Sequence, residues 1–379
     1  MSIWNEFHKL STFSVGFLDN SSEKKAEIFA NGKNQVAIYI KIKTLNKDGS
    51  ELIIPIEELL NQTYLVNYVT GEKLSSNGAW NCSQNKLGYT NIISWNSPYV
   101  TYEMQVRSGE RLVVYYLSTE NISSGVDIGA EIDIPGVGKF NTTQDGTRTI
   151  NAPADSKGSV FKSPSYVRVS ARKVINYSLS ENITISNMPK SISDFETIVS
   201  DMLVTHTNWA NVAYDNYEGT SLRTEFYIKP KSNEFLFRKM DVRRNNATLS
   251  TVNIAGDGYA DTVWGNGGGH YDTQFIFVNK ETYGLGTDSS ILAKCGWEDY
   301  CYKIGSNDVR HFWYQPLPEG MIKVNICNHR IPRSESEQKG WSNDGTTIRI
   351  DVEDNYGNSG VITITASDSR WPQLVVNGI

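Results

Sequence analysis

Residues Ile28-Phe-Ala-Asn-Gly-Lys-Asn-Gln-Val-Ala-Ile-Tyr-Ile-Lys-Ile-Lys43, running on into Asn46-Lys-Asp-Gly49, decide the fold class. Val36, Ile38, Ile40 and Ile42 alternate with Ala37, Tyr39, Lys41 and Lys43. A period of two sends successive side chains to opposite faces of an extended chain. The segment therefore predicts a strand with one face in a core and the other in water. Asn31-Gly32 and Asp48-Gly49 bracket it, and both pairs readily form turns with positive φ.

The same pattern repeats outward from this stretch. Tyr64–Val69, Thr90–Trp95 and Tyr99–Val106 read as further short strands, and Pro55 is placed to open a helical turn within residues 52–60. Arg111–Leu117, Val126–Ile134, Tyr166–Arg172 and Ile183–Ile185 continue the series, with Pro135-Gly136 as a breaker. The clearest hairpin lies near the end, where Ile348, Ile350 and Val352 share one face and Val361–Ala366 returns after a Gly- and Asn-rich turn. One stretch breaks the pattern. Ser193 and Glu196 have the spacing of a capping box, and Phe195, Ile198, Val199, Met202 and Leu203 follow at helical intervals. These predict a short connecting helix near residues 194–204.

At 379 residues the chain is long enough for two or three domains. The expectation is an all-β protein: Ig-like β-sandwich modules in tandem at 1–106 and 107–186, then a larger, jelly-roll-like sandwich at 187–379. Hydrophobic residues make up 39% and charged residues 21%, the balance of a folded globular chain. A net charge of −6 argues against nucleic acid or an anionic lipid surface as the main partner. No apolar run is long enough for a transmembrane helix. The first residues lack a basic and then apolar leader, so no standard signal peptide is expected and any release would follow a non-classical route.

The pattern Phe29-Ala-Asn-Gly-Lys, an alternating strand, then Asn-Lys-Asp-Gly49 resembles the early strands of bacterial Ig-like repeats of the invasin and intimin type. The resemblance covers residues 28–49, with Asn31 where those repeats usually carry Asp. It implies an Ig-like sandwich, and modules that act as stalks or adhesive units on bacterial surfaces.

Candidate sites concentrate in the C-terminal third. Trp264-Gly-Asn-Gly-Gly-Gly-His-Tyr-Asp272 combines glycines that allow close backbone approach with flanking aromatic surfaces and a His270–Asp272 pair. Trp297 and Trp313 belong to an aromatic-dense stretch suited to stacking on sugar rings. Trp264, His270, Tyr271, Asp272, Trp297 and Trp313 are thus the expected ligand contacts. Asn253, Asp257, Tyr259 (through its carbonyl) and Asp261 have the spacing and the intervening Gly of a calcium loop, although Ala255 occupies its middle acidic position. Calcium is the one cofactor the sequence suggests. Cys295 and Cys301 are spaced for a short-loop disulfide in an oxidising compartment, and the Cys/His spacings do not match structural zinc.

No nucleophile elbow, phosphate loop or protease signature occurs. The leading functional reading is a non-catalytic bacterial binding protein that recognises carbohydrate or a host cell-surface ligand through aromatic-rich loops. Two alternatives stand beside it. One is a toxin or virulence factor, pore-forming or insecticidal, for which the Ser/Thr-rich segment Asn141–Ile185 is the cue despite Pro153 and Pro164. The other is a polysaccharide hydrolase using a carboxylate pair that meets only through folding.

Overall fold

The computed structural model describes residues 2–75, 78–89, 92–93, 107–144, 165–186, 196–208, 211–244, 247–253, 259–267, 270–278, 292–295, 300–303, 319–332, 347–366 and 374–376. Most strands between residues 196 and 332 are defined by their backbone pairing. The chain is mostly β-strand, and it divides into two compact units, Met1–Val174 and Ile175–Ile379.

The first unit holds β1 (Phe7–Phe17), β2 (Lys25–Phe29), β3 (Val36–Asn46), β4 (Glu51–Leu52), α1 (Ile56–Gln62) and β5 (Thr63–Asn67). It continues with β6 (Asn81–Ser83), β7 (Arg111–Ser118), β8 (Ser123–Ile134), β9 (Gly138–Asn141) and β10 (Val167–Arg172). One sheet runs β1-β3-β7-β6 with β4 on β3, and the other runs β2-β10-β8-β5 with β9 on β8. Val36, Ile38, Ile40 and Ile42 of β3 pack in the same core as Ile128, Ala130, Ile132 and Ile134 of β8 and Val167 and Val169 of β10. Two sheets burying one shared core form a β-sandwich.

The central prediction for β3 holds, including its turns: Gly32 has φ 70° and Gly49 φ 87°. One detail differs. Ala37 and Tyr39, on the face expected in water, are buried at 3% and 6% exposure. The Tyr39 ring lies against Gly16, its opposite residue on β1, and the Lys41 ammonium is 3.6 Å from Glu110. The division expected at residue 106 does not occur. Strands from both sides of it pair with one another, β3 with β7 and β5 with β8, so residues 1–106 and 107–174 make one sandwich, not tandem modules. Local alternation cannot reveal such a boundary, because it is silent about which strand pairs with which.

The second unit contains β11 (Ile183–Ser186), β12 (Glu196–Asn208), β13 (Asn211–Pro230), β14 (Phe237–Arg244), β15 (Ala247–Asn253), β16 (Tyr259–Gly267) and β17 (His270–Val278). Then come β18 (Leu292–Cys295), β19 (Tyr300–Lys303), β20 (Ile322–Pro332), β21 (Thr347–Asp354), β22 (Ser359–Ala366) and β23 (Leu374–Val376). An eight-stranded sheet is ordered β16-β17-β20-β13-β12-β19-β18 with β11 on β13, and a five-stranded sheet β15-β14-β21-β22-β23. Ile183, Ile228, Ile322 and Val324 of the first pack with Phe237, Met240, Ile350, Val352, Ile362, Ile364 and Val376 of the second. This core too lies between two sheets. The boundary foreseen near 187 thus falls at 174/175.

The helix predicted at 194–204 is not formed. Glu196–Asn208 is a strand paired with β13 over its whole length. The i, i+3, i+4 spacing was present, but Thr197, Ile198, Val199, Val204, Thr205 and Thr207 are β-branched, which disfavours a helix and suits a sheet. The helix observed is α1, whose first turn follows Pro55. No helix among the described residues is long and apolar enough to cross a membrane.

Candidate functional site

The expected ligand stretch forms a hairpin at one edge of the eight-stranded sheet. Among the described residues β16 is the edge strand, and β17 lies between it and β20. Trp264 is opposite Thr273, Gly265 opposite Asp272, Asn266 opposite Tyr271, and Gly267 opposite His270. Across the other side of β17, Asp272 is opposite Arg330, Thr273 opposite His329 and Tyr271 opposite Ile331. Sequence suggested a glycine loop. The structure instead carries the ladder as far as Gly267 and His270, leaving only two residues between the strands.

This register divides the four described candidates. Direct partners share a face, and faces alternate along each strand. Trp264, Asn266, Tyr271, Thr273 and His329 therefore occupy one face of the sheet. Gly265, Gly267, His270, Asp272 and Arg330 occupy the other. On β20, Ile322 and Val324 enter the core, and even numbers along that strand carry Arg330 onto the same side. The Trp264–Asn266–Tyr271 positions are consequently on the face away from the core. Trp264 and Tyr271 occupy diagonally neighbouring positions there. Trp297 and Trp313, the other expected contacts, lie outside the described residues.

The calcium-loop candidates are spread over a connection between the two sheets. Asn253 ends β15 in the five-stranded sheet, while Tyr259 and Asp261 belong to β16, opposite Val278 and Ile276. Asp257 lies outside the described residues. An extended strand carries Tyr259 and Asp261 along a line, whereas a calcium loop wraps its ligands around one centre. Among the described residues, no three His, Cys, Asp or Glu side chains group as metal ligands do.

The cysteine pair is displaced by one residue: Cys295 is opposite Tyr300, and Cys301 is opposite Lys294. That register puts the two thiol-bearing positions on opposite faces of the β18–β19 ladder, which does not suit a disulfide between them. Cys82, in β6, is a free thiol whose pKa is pushed up to about 12 by burial, so it is an unreactive thiol at neutral pH.

Two carboxylates of β21 have clear structural roles. Asp351 accepts a hydrogen bond from the Arg349 guanidinium at 3.1 Å, and Glu353 is 3.6 Å from the Lys239 ammonium. Asp354, which ends β21, is wholly buried. Its Oδ1 accepts the backbone N–H groups of Tyr356 (2.8 Å) and Asn358 (2.9 Å). Its Oδ2 accepts from the Tyr177 hydroxyl at 2.7 Å and the Asn358 amide at 3.0 Å. Burial raises its pKa, and these four donors oppose that rise. Burial and the adjacent carboxylate also raise the pKa of Tyr177. Such a carboxylate organises the β21–β22 turn; it is not exposed to a substrate. This buried role is not legible in sequence, because one of its partners, Tyr177, is 177 residues away.

A small cleft of about 280 Å³ opens in the second unit beside Ile175, Tyr177, Asn182, Lys231, Ser232 and Phe235. It contains no carboxylate pair of the kind that hydrolyses a glycosidic bond. Comparison with models of known protein families finds no match, and comparison with curated proteins finds none either.

Proposed function

We propose that this chain is a non-catalytic binding protein that engages carbohydrate on a cell surface through the edge hairpin of its second unit. The observation that carries this reading is the register of β16 and β17, which supports a surface of Trp264, Asn266 and Tyr271 on the sheet face away from the core. Pyranose rings present flat patches of C–H bonds that stack on aromatic rings, and a neighbouring amide offers both donor and acceptor to sugar hydroxyls. Asn266 occupies a position opposite Tyr271 and two residues from Trp264 on the same face. His270 and Asp272, on the opposite face, take no part in this surface.

A glycan array probed with the purified chain, with and without calcium, tests the reading. Selective retention is expected. Trp264→Ala and Tyr271→Ala each lower it at least ten-fold with unchanged thermal melting, and His270→Ala leaves it within two-fold. Absence of retention on the array and on whole eukaryotic cells would overturn the proposal, as would full binding by both aromatic variants. Retention lost on chelation would add calcium to the site and return attention to Asp261.

A further inference from the structure

The longest hairpin among the described residues has no role in that binding surface. β12 has 13 residues and β13 has 20, and they pair without a register shift from Glu196↔Arg223 to Asn208↔Asn211. At about 3.4 Å per residue, 13 paired residues extend roughly 44 Å. A membrane-crossing strand needs about 9–11 residues. No proline interrupts the paired segment, unlike the Asn141–Ile185 stretch that composition first suggested. That stretch contributes β10 to the middle of the first sandwich instead.

The two faces of the hairpin differ in chemistry. One carries Ile198/Ser221, Ser200/Gly219, Met202/Tyr217 and Val204/Asp215 as opposed positions. The other carries Val199/Thr220, Asp201/Glu218, Leu203/Asn216 and Thr205/Tyr214. The first face is free of charge over three successive rows, while the second holds two carboxylate residues directly opposite each other. Like charges across a ladder are destabilising, so their pairing calls for a setting rich in water or cations. The lumen of a β-barrel is such a setting.

We propose that the β12–β13 hairpin is a membrane-inserting element through which several copies of this chain build a β-barrel pore in a lipid bilayer. The Ile198–Met202–Tyr217 face meets lipid, and Asp201 and Glu218 line the lumen as an acidic ring. Each copy supplies two strands. The smallest membrane barrels have about eight, so about four copies or more assemble. Insertion requires the hairpin to leave β19, which pairs with Leu203–His206, and its base to leave β20, which pairs with Thr220–Ile228. Asp215 is the carboxylate out of place on the lipid face, and it slows insertion.

Dye release from phosphatidylcholine–cholesterol vesicles, and from vesicles of total lipid extracted from eukaryotic cells, tests this independently of glycan retention. The wild-type chain is expected to release dye from at least one vesicle type and to migrate as an oligomer after detergent extraction. Thr205 is opposite Cys301, so Thr205→Cys permits a disulfide that ties the hairpin to β19. With that bond verified by mass, release should fall at least ten-fold and recover on reduction. Asp215→Asn should speed release, and Asp201→Asn combined with Glu218→Gln should lower the preference for K⁺ over Cl⁻ in single-channel recordings. Intact vesicles of both kinds with the wild-type chain, or equal release by oxidised and reduced Thr205→Cys, would overturn the proposal. Either result leaves the glycan-array outcome standing on its own.

Discussion

β3 in the first unit and β12 in the second are nearly equal in length, 11 and 13 residues, yet they read very differently in sequence. In β3 the apolar residues alternate without a break, and Val36, Ile38, Ile40 and Ile42 fill a core shared by two sheets. In β12 apolar residues come in clusters, Ile198-Val199 and Met202-Leu203-Val204, which mimics helical spacing. The contrast shows what alternation reports. It reports the face that a second sheet covers, even though Ala37 and Tyr39 on the other face of β3 are buried as well. For a strand with another environment, β-branched content is the better guide, because it reflects the stiffness of the residue itself.

The largest effect expected from this contrast is in the first core. Ile38→Ala should cost about 2–5 kcal/mol, read from urea unfolding, because it leaves a cavity between close-packed sheets. Calorimetry of the same variant should show the first unit's transition lowered and the second unit's unchanged. A single transition shifting as a whole would break the division of the chain at 174/175.

The matching test in the second unit is Asp354→Ala, which removes the acceptor of four hydrogen bonds, that of the buried Tyr177 hydroxyl among them. A loss of about 1–3 kcal/mol is expected when buried donors lose their acceptor. Backbone sets a companion limit. A Cβ on Gly360 would lie 2.5 Å from the Ser178 amide nitrogen and 2.6 Å from that of Tyr177. Gly360→Ala should therefore destabilise the same unit by forcing apart two backbone segments.

A smaller effect concerns pH. The pKa of Asp354 is raised on folding, so its contribution to stability is full below the ordinary carboxylate value of 3.8 and is lost as pH rises through the higher folded value. Asp354→Asn cannot ionise. The stability of the wild-type chain relative to this variant should therefore decline between pH 4 and neutrality, measured by urea unfolding at each pH. A difference that grows with pH would mean that the four donors outweigh burial.

The smallest effect is also the sharpest for β12. Val199→Ala should destabilise by less than about 1 kcal/mol if the segment is a strand. In a helix the same change should stabilise by a few tenths of a kcal/mol. The sign, and not the size, decides.

The candidate site was partly legible. Glycines flanked by aromatics marked residues 264–272, and that stretch does form the end of an edge hairpin. Its division into two faces was not legible, because it depends on the positions of Gly265 and Gly267 opposite Asp272 and His270, a register set across strands. The expected contacts Trp264 and His270 therefore part company despite lying six residues apart.

Sequence by itself determined the class of the fold, the strands β3, β5, β7, β8, β10, β11, β21 and β22, and the turns at Gly32, Gly49 and 354–360, since these follow from side-chain period and from backbone freedom near each residue. Tertiary structure alone decided that residues 1–174 form one sandwich, that 196–208 is a strand, and that Asp354 is buried beneath Tyr177. Each of these depends on partners distant along the chain: β7 for β3, β13 for β12, Tyr177 for Asp354. Hydrogen-bond pairing and burial are satisfied between segments, and a local pattern records only that a partner is needed, never which one.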